Sequence, residues 1–100
     1  MKTQSIHTKI RKLAANAFSF GEDTFTDWPT SVYFEGKAQG FQMLIDSGVD
    51  ESLRVRDLAQ AESIRHWRAA KDPLKYQFFD GIAAAATEVI GLHLRVANSA

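Results

Sequence analysis

DPLKYQFFDGIAAAATEVIGLHLRVA, residues 72–97, is the stretch on which the fold turns. It opens with Asp72, whose side chain suits a helix cap, and Pro73, which suits the first helical position; no proline follows. Phe78, Ile82, Ala85, Val89, Leu92 and Val96 recur at spacings of four, three, four, three and four. Phe79, Ala83, Ala86, Ile90 and Leu94 form a second stripe beside the first, so more than half of the circumference is apolar. Such a helix needs partners on two sides. The expected fold is therefore all-α, a small four- to five-helix bundle around a buried C-terminal helix. Each large apolar side chain buried there contributes roughly 1.5–3 kcal/mol.

The preceding chain supplies the partners. Ile6, Ile10, Leu13, Ala14 and Ala17 share one face of a helix beginning near Thr3 or Ser5, and Gly21 offers it a stop. Pro29 begins a second helix that is expected to run to Ser47, with Gly48 as a left-handed cap and Phe34, Ala38, Phe41, Leu44 and Ile45 as its buried stripe. Gly36 and Gly40 inside it cost on the order of 2 kcal/mol relative to alanine, which a close crossing against the alanine run Ala83–Ala86 explains. Asp50 is expected to cap a third helical region. Its pattern is split: Val55, Leu58 and Ala59 share one face, Ile64 and Trp67 point nearly opposite, and a break or bend is expected at 60–63. Short connections make successive helices antiparallel or sharply angled neighbours.

Residues 19–28 are the least helical. Phe18, Phe20 and Phe25 around Gly-Glu-Asp-Thr suit either a short hairpin or a loop packed by its aromatics, and the loop is preferred because a two-stranded ribbon is marginal alone. Glu22, Asp23 and Asp27 gather there beside Trp28, which suits both a lid over the core and a binding anchor.

One hundred residues with 45% hydrophobic content read as a single helical domain, 1–100. Twelve basic and twelve acidic residues balance, which excludes a general nucleic-acid coat and a wholesale polyanion mimic. The absence of cysteine excludes disulfides, cysteine-based zinc sites and thiol catalysis, and suits a reducing cytoplasm. The longest uncharged run, Leu13 to Gly21, is far too short to span a bilayer. Residues 1–20, with four cations and no acid, also have the composition of a transit peptide, but the core needs their apolar stripe, so a basic first helix is the reading taken. Charge is segregated along the chain: residues 21–52 carry seven acids against Lys37, and residues 53–75 carry six bases against three acids.

Templates for catalysis are absent. His7, His66 and His93 lack ligand spacing, no His-Glu-x-x-His occurs, and there is no nucleophile elbow, phosphate loop or dinucleotide fingerprint. Asp57 and Glu62 are five apart, hence on different helix faces, and His93 reads as a core histidine bonded to a backbone carbonyl. No enzymatic role and no cofactor or metal is expected. For nucleic acid, RVRDLAQA at 54–61 followed by ESIRHWR at 62–68 looks like a helix-turn-helix, with Arg65, His66, Arg68 and Lys71 as reading residues. Against it, the turn lacks glycine and Trp67 stands where a reading helix presents smaller groups. A DNA-binding regulator using 54–71 is therefore the alternative function.

As a whole, from MKTQSIHTKI at 1–10 through YFEGKAQGFQMLI at 33–45, the chain resembles small phage-encoded anti-CRISPR proteins of the type I-F group in size, composition and general character. That group shares no common motif, so no functional residue carries over. The resemblance implies a non-enzymatic inhibitor acting in the bacterial host cytoplasm, which docks on a guide-RNA-loaded CRISPR-Cas surveillance complex and prevents target DNA from binding. Duplex DNA and membranes are not expected as partners, and a homodimer is compatible with this reading. Surfaces that hold nucleic acid are lined with lysine and arginine, so an occluding protein benefits from acidic groups. The expected contact residues are Glu22, Asp23, Asp27, Trp28, Asp50 and Glu51, together with Asp46, provided that the loop and the 48–51 turn lie together. Against this, acids in loops ordinarily serve solubility and helix capping.

Overall fold

A computed structural model describes the backbone of residues 2–23, 28–69 and 73–98, and the side chains of 6–22, 29–69 and 74–98. These residues form four α-helices: α1, Lys2–Asp23; α2, Trp28–Met43; α3, Val49–Ala69; and α4, Pro73–Asn98. No strand occurs among them. α4 packs against α2 on one side and α3 on the other, and α1 packs mainly against α2. The helices thus lie in the spatial order α1, α2, α4, α3, with extents of 46 × 28 × 17 Å. α1 and α3 are the two edges of this row.

The core forms where the apolar stripes meet. Ile6, Ile10, Ala14 and Ala17 of α1, and Ala38, Phe41 and Leu44 from α2 and the turn after it, are buried. They join Val55 and Ala59 of α3 and Ile82, Ala83, Ala85, Ala86 and Val89 of α4 in one cluster. Residues 81–90 of α4 are buried except for Ala84, Thr87 and Glu88, whereas Phe78, Phe79, Leu92 and Val96 toward its ends are half-exposed. Leu94, expected inward with the second stripe, is exposed.

The two-glycine signal in α2 has a structural cause. A Cβ on Gly36 would overlap the Phe78 carbonyl, and one on Gly40 would stand 2.8 Å from Ala85 Cβ and 3.1 Å from the Ile82 backbone. The crossing is reciprocal. Gly81 of α4 leaves no room for a Cβ beside the Tyr33 carbonyl and the Lys37 nitrogen. It therefore centres on residues 78–85, beginning a turn before the alanine run proposed from the sequence. Lys37 and Glu88 bridge the same two helices at 3.2 Å.

Several local expectations are corrected. α1 passes through Gly21 and ends at Asp23, and Phe18 and Phe20 are helical, so they form neither hairpin nor loop; Phe25 lies outside the described residues. Gly21 is tolerated because α2 packs over it, with Ser31 donating a hydrogen bond to its carbonyl at 2.9 Å. α2 ends at Met43 and not at Ser47. A turn follows, closed by Leu44 N–H to Phe41 O at 3.1 Å and Ser47 N–H to Leu44 O at 3.2 Å. Gly48 is not left-handed. Its carbonyl instead accepts hydrogen bonds from Ser52 N–H and Ser52 Oγ at 3.1 and 2.8 Å, opening α3, so Asp50 lies inside the first turn and is not its cap. α3 is unbroken. The split apolar pattern is resolved by leaving Ile64 and Trp67 in solvent, and Leu58, expected inward with Val55 and Ala59, is exposed as well.

The α3–α4 seam is held by a polar pin as well as by packing. The buried Ser63 hydroxyl donates to the Asp80 carboxylate, with the Tyr76 carbonyl 3.3 Å away. Ser63→Ala removes that donor, and a loss of about 1–3 kcal/mol in urea unfolding is expected. Asp80→Asn keeps an acceptor and should cost less.

Candidate partner-binding site

The end of the row where α1 closes onto α2 combines charge with exposed aromatic surface. Phe18 and Phe20 are 57% and 54% exposed on the last turns of α1. Phe20 leans on Phe34 of α2, ring centres 5.5 Å apart, and Phe34 meets Tyr33 edge-on at 5.4 Å. Phe18, Gly21, Glu22, Ser31 and Glu35 line a shallow hollow of about 240 Å³. Glu22 and Glu35 are both exposed, and neither has a cationic partner among the described residues. Asp23 ends α1 and Trp28 begins α2 at this same end. The side chains of both, and Asp27 altogether, lie outside the described residues.

The remaining acids proposed from sequence are not brought to this place. Asp46, Asp50 and Glu51 stand beyond the far end of α2, whose sixteen residues separate the two groups by about 24 Å. Each also has a different local setting. Asp46 lies 3.6 Å from His7. Glu51 takes two hydrogen bonds from Arg54, one of 3.0 Å, and these hold its carboxyl below the ordinary glutamate range. Asp50 is exposed in the first turn of α3, where a negative charge favours the helix dipole. The separation was available in principle: an intervening helix between antiparallel neighbours puts its two flanking loops at opposite ends. Glu35 and the exposure of Phe18 and Phe20 escaped the sequence reading, which assigned 19–28 to a loop and gave Glu35 no role.

The cations of the alternative reading lie on the second half of α3. Arg65 is tied to Glu62 at 2.7 and 3.3 Å, a pairing that also draws the Glu62 pKa down. His66 is half-buried, stacked on Phe79 at 5.5 Å with ring planes 3° apart, and 3.6 Å from Glu62. Arg68 is exposed, and Lys71 lies outside the described residues. Because residues 49–69 are one helix, the two helices and turn proposed within 54–68 are not formed. An imidazole stacked on an aromatic ring is also poorly placed to read base edges.

His93, at the other end of the molecule, bonds through Nε2 to the Ser47 carbonyl at 3.0 Å, which requires the Nε2–H tautomer and pins α4 to the turn after α2. It is a structural histidine, as its position on an apolar face suggested. Among the described residues no group of three or more His, Cys, Asp or Glu is placed to hold a metal ion, and no helix is long and apolar enough to cross a membrane. No protein-family model, curated protein or solved structure matches this chain.

Proposed function

We propose that this protein is a non-enzymatic inhibitor that docks the acidic, aromatic end of the α1–α2 pair on a basic, nucleic-acid-binding surface of a CRISPR-Cas surveillance complex. The identity of the target rests on the resemblance to type I-F anti-CRISPR proteins. The choice of face rests on one observation, that Glu22 and Glu35, without a cationic partner among the described residues, stand around a hollow flanked by exposed Phe18. Unpaired carboxylates facing arginine and lysine speed docking and fill the sites that phosphate would occupy. Aromatic groups among them supply apolar contact, which carries much of the energy of a protein interface. Asp23, Asp27 and Trp28 belong to the same segment and extend the proposed contact. Asp50 and Glu51 do not. Such an inhibitor would act in the bacterial host cytoplasm.

The test is competition with target DNA. A fluorescent target duplex is titrated with a guide-loaded type I-F surveillance complex at rising concentrations of the protein. The parent chain is expected to abolish DNA binding. Glu22→Lys with Glu35→Lys should weaken inhibition by roughly thirtyfold or more while leaving helicity and melting unchanged. Asp46→Lys, at the far end of α2, should inhibit like the parent. A double reversal that inhibits fully moves the contact face elsewhere, and a parent chain without effect on DNA binding refutes the inhibitor reading.

A further inference from the structure

α3 is an edge helix with two apolar sides. Ser52, Val55, Ala59 and Ser63 are buried toward α4. A second side, roughly 110° around the helix from the first, carries half-buried Leu53 with Ile64 and Trp67, of which Trp67 is 65% and Ile64 51% exposed. These three lie within about a sixth of the helix circumference at 100° per residue. No other described helix packs on α3, so among the described residues no second helix covers Ile64 and Trp67.

The charges around this stripe are uneven in a telling way. Between residues 51 and 65 every acid and base on α3 is paired along the helix: Glu51 with Arg54, Arg56 with Asp57, Glu62 with Arg65. Asp50 and Arg68, at the two ends, are exposed and paired with no described residue. They are eighteen residues apart, which is five turns of 3.6 residues, so they project in the same direction, separated by about 27 Å. Both flank the apolar stripe. They are far too distant to pair with each other within one chain.

We propose that this face binds a second copy of itself, with the two α3 helices antiparallel across a two-fold axis near residues 57–60. In that arrangement Asp50 of each copy meets Arg68 of the other, and Leu53 lies against Ile64 and Trp67. The face is acidic at its start and basic at its end, with Leu53 beside the first charge, Ile64 and Trp67 beside the second, and Gln60 and the mutually neutralised Arg56–Asp57 pair between them, so a two-fold axis brings unlike ends together, which is what an isologous contact needs. A parallel pairing would set Asp50 against Asp50 and Arg68 against Arg68, so the same two charges select the antiparallel one. Antiparallel helix dipoles favour it too. The surface lies on the opposite edge of the row from α1, and the dimer does not depend on the inhibitory reading.

Sedimentation equilibrium of the full chain tests this. The parent should show a reversible monomer–dimer equilibrium with a dissociation constant in the micromolar range. Asp50→Arg and Arg68→Asp should each weaken the dimer by about tenfold, since each reversal creates two like-charge contacts. The chain carrying both reversals should recover to within about threefold of the parent, because the charges are again opposite across the axis but remain about 27 Å apart within each chain. Trp67→Gln should dissociate the dimer at unchanged melting of the monomer. Asp50→Arg also opposes the dipole of α3, so Arg68→Asp and Trp67→Gln carry the result if it alone unfolds. A parent chain still monomeric at about 0.5 mM overturns the proposal. So does a doubly reversed chain that dimerises no better than the singles, or a Trp67→Gln chain that dimerises like the parent.

Discussion

Gly81→Ala is expected to destabilise the protein by about 3 kcal/mol, although the same exchange inside a helix ordinarily stabilises by up to about 1 kcal/mol. The sign reverses because of what the new methyl group would meet. Its place is taken by the Tyr33 carbonyl and by the Lys37 nitrogen at 2.6 Å, both backbone atoms, so no rotamer change relieves the overlap. α2 and α4 must separate, and the packing of Phe41, Ile82 and Ala85 loosens with them. Gly36→Ala should behave alike, since its Cβ would overlap the Phe78 carbonyl. Gly91 supplies the contrast on the same helix: its Cβ would find only the flexible end of Arg95 at 3.6 Å, so Gly91→Ala should raise stability by up to about 1 kcal/mol. Urea unfolding of the three variants measures this directly. A stabilised Gly81→Ala would show that the helices do not cross so closely.

Val89→Asp should abolish cooperative folding. Val89 is fully buried in the cluster that contains Ile10, Phe41 and Leu44, so a carboxylate there loses water and finds no cation. Burying an uncompensated charge costs several kcal/mol, and the lost valine burial adds roughly 1.5 kcal/mol or more. Domains of this kind have about 5–15 kcal/mol in total. Circular dichroism should therefore show no sharp thermal transition. Leu94→Asp, on an exposed stretch of the same helix, should change stability by no more than about 0.5 kcal/mol. If Val89→Asp melts like the parent, Val89 does not lie in the core.

Helix identity was legible because the signals for it are local. Pro73 and the three-four spacing after it placed α4 within a residue or so, and Ile6, Ile10, Ala14 and Ala17 did the same for the buried face of α1. Gly36 and Gly40 announced a close crossing, since an α-helix keeps two costly glycines where another backbone lies against it. The reciprocal Gly81 went unread because one glycine in a long helix has no spacing to interpret.

The errors share a different origin. Gly21 looked like a stop and became a contact, because α2 packs over it and Ser31 bonds its carbonyl. α3 looked bent because an isolated sequence suggests that every apolar residue is buried. The structure keeps the helix continuous and leaves Leu58, Ile64 and Trp67 in solvent. For the acids, proximity along the chain was taken for proximity in space.

By itself, then, the sequence determined an all-helical chain and the inward face of most of its helices, because hydrophobic periodicity and glycine, proline and cap positions act over one or two turns. Gly36 and Gly40 foretold the α2–α4 crossing, but only the tertiary structure decided that α4 lies between α2 and α3, which their short connection had made expected neighbours. That order, α1, α2, α4, α3, parts Glu22 from Asp50 and Glu51, gathers Phe18, Glu22 and Glu35 around one hollow, and leaves Ile64 and Trp67 of α3 exposed. Side chains far apart in sequence meet according to the direction in which helices pack, and no local spacing along the chain encodes that direction.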